Sequence, residues 1–138
     1  MDWPKNFIFG WISFWVRRRF RKDVGVSTSL MFLCISNYGP LKNWEMVLQA
    51  YSMADIPDST LVFIGTEIND YAKKLIANSQ EKRLNALFLE HLPREKVVAA
   101  YHEADFFLFS SKIECFPLVI VEAMASATPF IRINIACV

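Results

Sequence analysis

The sequence is poor in glycine, with 4 in 138 residues, and holds no GxGxxG or GxxxxGK(S/T) run. A dinucleotide fingerprint and a P-loop are therefore excluded. Its 2 histidines form no HxxxH pair, and no CxxC is present. That excludes the usual structural zinc site, and no metal ligand set is expected. The 3 cysteines, Cys34, Cys115 and Cys137, are odd in number and far apart. They do not make a disulfide framework and fit a reduced, cytoplasmic compartment. Charge of one sign is also missing: 15 Lys+Arg stand against 14 Asp+Glu, a net +1. Nucleic acid is thus not an expected partner. No apolar run reaches the ~20 residues that a membrane-spanning helix needs. What is present is apolar: 54% of residues, against 21% charged, which excludes disorder. The length suits one domain.

The amino terminus has its own character. Phe7 to Val16 (FIFGWISFWV) is apolar and aromatic, and Arg17, Arg18, Arg19, Phe20, Arg21 and Lys22 follow at once. A secretory signal would put the basic residues first. One reading is a peripheral membrane contact through residues 3–22, with Trp3, Trp11 and Trp15 at headgroup depth and the arginines on anionic lipid. The other is a piece of a larger protein, whose apolar side packs on something else. Residues 1–22 are set apart from a domain of residues 23–138.

From Leu30 onward, short apolar runs alternate with helical spacing. Leu30–Ile35, Thr60–Ile64, Ala86–Leu89, Phe106–Phe109 and Phe130–Ile135 read as buried strands. Between them, Asn43 caps a helix with Trp44, Val47, Leu48 and Tyr51 on one side. Asn69 or Asp70 caps a second, with Ala72, Leu75 and Ile76. Pro93 opens a third, with Val97, Ala100, Tyr101 and Ala104 inward, and Pro117 takes the first position of a fourth. The pattern predicts an α/β fold: a Rossmann-like open parallel sheet of about five strands flanked by helices, with right-handed crossovers.

Such a sheet binds ligands beyond the carboxyl ends of its strands, where strand order reverses. For the order 3-2-1-4-5, that point lies between the first and fourth strands. The loops there run from Ser36 to Asn43, with Lys42, and from Ser110 to Phe116, with Glu114. The helix that follows carries Glu122 inside an apolar stretch, LVIVEAMA. A carboxylate in such surroundings needs a partner. The backbone N–H groups of Leu118 and Val119 at that helix start suit an anion such as phosphate, and Lys42 would add a full charge. The Glu122 carboxylate can accept two hydrogen bonds from a vicinal diol, and Glu114 can accept from hydroxyls beyond the phosphates.

The segment Ser111 to Pro129 (SKIECFPLVIVEAMASATP) resembles the signature of the group 1 (family 4) retaining glycosyltransferases, in their carboxyl-terminal nucleotide-sugar-binding domain. Two glutamates, Glu114 and Glu122, stand with seven residues between them around a turn at Phe116-Pro117-Leu118. Upstream, Ser36 to Asn43, Leu61 to Gly65 and Tyr101 to Ser110 are similar to further family segments in the same order. The resemblance implies one half of a two-domain glycosyltransferase-B architecture, truncated at its carboxyl end. It implies a nucleoside-diphosphate sugar as donor, transfer with retention, and no metal or other cofactor. By it, Lys42 holds the diphosphate and Glu114 the donor sugar, as the catalytic pair. Glu122 meets the ribose, the backbone of Phe116, Pro117 and Leu118 meets phosphates and sugar, and the loop at His91-Leu92 lies near the base. Asn37 stands where the family has an arginine, which removes one cation from the leaving group, and Cys115 and Ala127 replace glycines. The acceptor would be bound by an amino-terminal domain that this chain lacks, so the chain alone is expected to bind donor without turnover. An epimerase-like nucleotide-sugar enzyme of the same fold and a non-enzymatic α/β interaction module are the alternatives.

Overall fold

The structure is a computed structural model that describes residues 19–132. Five parallel strands lie in the order β3-β2-β1-β4-β5. They are β1 (Leu30–Ile35), β2 (Ser59–Gly65), β3 (Ala86–Glu90), β4 (Phe106–Phe109) and β5 (Phe130–Arg132). The helices are α1 (Phe20–Asp23), α2 (Trp44–Ala54), α3 (Asp70–Glu81), α4 (Arg94–Glu103) and α5 (Leu118–Ala125), with a short 3-10 turn at Pro40–Lys42. The expected architecture is thus observed, to within a residue or two at element ends. For β5, the expected residues 133–135 lie outside the described residues.

The strands are apolar throughout because both faces of the sheet are covered. Met31, Leu33, Val62, Ile64 and Phe107 point into one core, with Tyr101 of α4 and Ala123 of α5. Phe32, Cys34, Leu61 and Phe63 point into the other, with Trp44, Leu48, Ala72 and Leu75 of α2 and α3. Residues that alternate along β1 and β2 therefore divide strictly between the two cores. In the second core Tyr38, Trp44, Phe63 and Phe88 form a chain of rings whose successive centroids are each 4.9 Å apart.

Helix α1 carries Phe20, 1% exposed, into the first core. The Glu103 carboxylate accepts from the backbone N–H groups of Phe20 (3.0 Å) and Arg21 (2.8 Å), capping this helix from a distant element. The Arg21 guanidinium donates to the carbonyls of Thr28 and Glu103 and to Asp105 Oδ2. Phe20 and Arg21, set apart by the sequence reading in a separate segment of residues 1–22, are thus built into the domain. Their partners Glu103 and Asp105 lie more than 80 residues away in sequence and leave no local signal. The remainder of that segment, through residue 18, lies outside the described residues.

Three expected helix starts are corrected. Asn43 precedes α2 but has φ 56° and ψ 38°, and no side chain caps that helix. The same residue ends the 3-10 turn in the left-handed region, which denies it the extended backbone of a side-chain N-cap. Its Nδ2 faces Met46 Sδ at 3.6 Å instead. Pro117 and Pro93 occupy the position before α5 and α4, with extended ψ of 98° and 153°, so both helices start one residue later than expected. Asn69 caps α3 as expected, Oδ1 accepting from Ala72 N at 3.0 Å.

Candidate functional site

The strand order reverses between β1 and β4, so α2 leaves β1 on one face and α5 leaves β4 on the other. The two loops that emerge there are stitched together. Ser110 Oγ donates to the Lys42 carbonyl at 2.6 Å, and Lys112 N donates to the Leu41 carbonyl at 2.8 Å. This clasp holds the Lys42 side chain against Glu114: Nζ lies 2.5 Å from Oε1, and Ser111 Oγ donates to the same oxygen at 2.7 Å. Burial alone would raise the Glu114 pKa. The Lys42 ammonium and the Ser111 hydroxyl outweigh it and hold the carboxyl below its usual range.

Beside this pair lies an open hollow of about 200 Å³. Lys42 and Glu114 line it together with Phe116, Pro117, Leu118 and Val119. No side chain caps the start of α5, so the first-turn N–H groups of Leu118 and Val119 stay available at the hollow. A fixed ammonium and a helix N-terminus meeting over one space make an anion receptor, suited to phosphate. Phe116 is 72% exposed and Leu118 is 65% exposed, leaving apolar surface at its mouth.

The sequence-predicted residues separate into two groups. Lys42, Glu114, Phe116, Pro117 and Leu118 come together around the hollow. Glu122 does not line it, although the sequence expects all three charged side chains in one crevice. It lies a helical turn further along α5 and faces α4, with Oε1 on Arg94 Nη1 at 2.5 Å and Oε2 on the Tyr101 hydroxyl at 3.0 Å. Leu92 is half-buried and packs against the first core. Asn37 is exposed on the loop after β1. Sequence reasoning singles out neither Arg94 nor Ser111. Tyr101 reads there only as an inward-facing helix residue, and its helical spacing is the one signal that it is held in place.

Among the described residues no group of three His, Cys, Asp or Glu side chains is arranged to hold a metal ion. Among them, too, no helix is long and apolar enough to cross a membrane.

The family described as glycosyl transferases group 1 matches residues 16–138. The chain belongs to this family. A curated mannosylfructose-phosphate synthase of Agrobacterium fabrum is 27% identical over 123 residues, covering 82% of this chain and 27% of the relative. An uncharacterised 41.2 kDa protein of the Klebsiella pneumoniae cps region is 26% identical over 104 residues, covering 75% and 27%. The chain thus spans about a quarter of the length of the curated relatives it matches. Solved structures agree in fold. The C-terminal domain of a group 1 glycosyl transferase from Francisella tularensis has a TM-score of 0.72 and 22% identity, covering 84% of this chain and 64% of that one. Anabaena Alr3699/HepE, solved with UDP and glucose, has a TM-score of 0.75 and 23% identity, covering 83% and 32%. The group 1 domain described here is therefore of the Rossmann-like kind found at the C-terminus of glycosyltransferase-B enzymes.

Proposed function

We propose that the chain is the donor-binding half of a retaining, family 4 glycosyltransferase that transfers a hexosyl group from a nucleoside-diphosphate sugar. The observation that carries this reading is the meeting of Lys42, Glu114 and the uncapped start of α5 over one hollow at the strand-order reversal. The Anabaena neighbour, solved with UDP and glucose, supports the choice of ligand class.

The roles follow from charge and position. Breaking the bond between sugar and diphosphate leaves negative charge on the leaving oxygen and positive charge at the sugar. Lys42 and the N–H groups of Leu118 and Val119 stabilise the first, and they do not reorganise during the step. Glu114 accepts from donor-sugar hydroxyls and lies where its charge opposes the sugar's. The backbone of Phe116 and Pro117 flanks sugar and phosphates. Glu122 accepts from the ribose, and the loop carrying Leu92 lies toward the base. Asn37, neutral where the family resemblance implies an arginine, leaves Lys42 as the cation of this subsite. The positive charge comes from side chain and backbone, so the reading calls on no metal or other cofactor. The acceptor binds to a second, amino-terminal domain, and the 138-residue chain alone binds donor without turnover. A cytoplasmic location, with contact at the membrane surface through the segment before α1, belongs to the same reading.

The test is a thermal-shift titration with UDP, GDP and ADP and their sugar conjugates. Ligand at ~100 times Kd stabilises by about 2.7 kcal/mol. One base is expected to stabilise selectively, with the shift lost in Lys42→Ala and Glu122→Ala and kept in the exposed control Lys74→Ala. No shift with any diphosphate, or equal loss in the control, would sink the reading.

A further inference from the structure

The Glu122 carboxylate is gripped from two directions by side chains that take no part in the phosphate hollow. Arg94 Nη1 donates to Oε1 at 2.5 Å, and the Tyr101 hydroxyl donates to Oε2 at 3.0 Å. Arg94 is the first residue of α4, just after the loop that follows β3, and Tyr101 lies about two turns along the same helix face. The two grips differ in kind. Tyr101 is 1% exposed, its ring packed on Phe107, so its hydroxyl is a fixed post. Burial, then the charge and hydrogen bond of Glu122, push that hydroxyl far above the usual tyrosine range, so it donates at every physiological pH. The Arg94 side chain is 67% exposed and reaches the carboxylate from the solvent side.

A carboxylate offers about four lone-pair sites, two on each oxygen. Here one site on each oxygen is occupied, which leaves one open on each. Two open acceptors side by side, on a side chain 24% exposed, match the paired O–H donors of a vicinal diol. If Tyr101 let go, the planar guanidinium would take both oxygens in the two-pronged geometry that arginine favours, and one acceptor would be lost to the diol.

We propose that Arg94 and Tyr101 are positioning residues that set Glu122 as a receptor for the ribose cis-diol, and so make the site select ribonucleotides over 2′-deoxyribonucleotides. This rests on the nucleoside-diphosphate reading above. It assigns the selectivity to a pairing across two helices rather than to Glu122 alone.

The experiment compares UDP, GDP and ADP with their 2′-deoxy counterparts by titration calorimetry. The proteins are the 138-residue chain and its Arg94→Ala, Arg94→Lys and Tyr101→Phe variants. A hydrogen bond to a charged group corresponds to about tenfold in affinity or more, and that is the ribo preference expected of the parent chain. In Tyr101→Phe, which keeps the buried ring, and in Arg94→Ala the preference falls to about threefold or less. Arg94→Lys, which still donates to Oε1, retains most of it. A merely structural role would lower the thermal midpoint and weaken both sugars alike. Equal weakening with the preference intact overturns the positioning role and leaves nucleotide binding standing. A parent chain that binds no diphosphate, or binds ribo and deoxy forms equally, overturns the proposal; the first result takes the underlying reading with it.

Discussion

In the proposed reading, the Lys42–Glu114 pair is the contact an incoming phosphate must compete with, and its strength can be worked from the structure and measured. The two side chains are 29% and 20% exposed and meet at 2.5 Å, with Ser111 as a third partner. Fully exposed pairs are worth about 0–1 kcal/mol, because water screens them and holding long side chains costs entropy. Truncating one partner of a fully buried pair costs about 3–5 kcal/mol. A pair in between should couple by about 1–2 kcal/mol. The assay is a double-mutant cycle in urea with Lys42→Met, Glu114→Gln and the double variant at neutral pH. The pH dependence has a definite sign. Glu114 is held below its ordinary 4.5 in the folded chain. The unfolded state therefore takes up the proton first. The coupling is fully present above the ordinary carboxylate range and is lost as pH falls through the lowered folded value. Coupling under about 0.3 kcal/mol at neutral pH, or coupling that persists unchanged in strong acid, refutes this account of the pair. If the account holds, Glu114→Gln frees Lys42 and tightens binding of a bare nucleoside diphosphate by about tenfold, while its sugar conjugate gains less.

Two further predictions concern the frame around the site. A Cβ on Gly65 would lie 2.1 Å from Tyr38 Cε2, inside the ring chain of the second core. Gly65→Ala should destabilise by about 1–3 kcal/mol in urea unfolding, and Tyr38→Ala in the same chain should relieve that clash; a neutral Gly65→Ala would count against the packing described. Asp105 Oδ2 accepts from Arg21 Nη2 at 2.6 Å and from Met31 N at 2.7 Å, joining α1, β1 and β4. Asp105→Ala should cost about 2–3 kcal/mol by thermal unfolding, and a change within about 0.5 kcal/mol would show that the clasp is not structural.

The sheet is legible in the sequence because strands covered on both faces must be apolar at consecutive positions, and LMFLCI and TLVFI satisfy that without competition from helical spacing. Pro93 and Pro117 mark their helix starts to within one residue for a similar reason, since proline fixes φ wherever it stands. The hollow beside Lys42 and Glu114 is legible too, once topology places the loops after β1 and β4 side by side. Glu122 is less so. Its apolar neighbours announce that it needs a partner, but nothing local tells that the partners are Arg94 and Tyr101, 28 and 21 residues away on α4. Arg21 misleads in the opposite way. Basic residues beside aromatics suit a lipid surface, yet Arg21 is drawn into the domain by Glu103 and Asp105. Asn43 fails as a cap because the tight turn before it claims the same residue. The departures at Glu122 and Arg21 have one source: a contact between residues distant in sequence outbids a local preference.

The order of the strands also governs when the site can exist during folding. Lys42 and Glu114 are separated by 72 residues, and the chain between them contains α2, β2, α3, β3, α4 and β4. Closing so long a loop is entropically slow, and a parallel sheet offers no hairpin shortcut. The β1–β2 and β2–β3 pairings join nearer neighbours and are expected to form ahead of β1–β4. The anion receptor is therefore one of the last features to assemble. A partly folded chain could have most of its helix content and its second core and still hold no phosphate. Ligand uptake in a refolding experiment would then lag behind the circular-dichroism signal, marking the moment β4 docks beside β1.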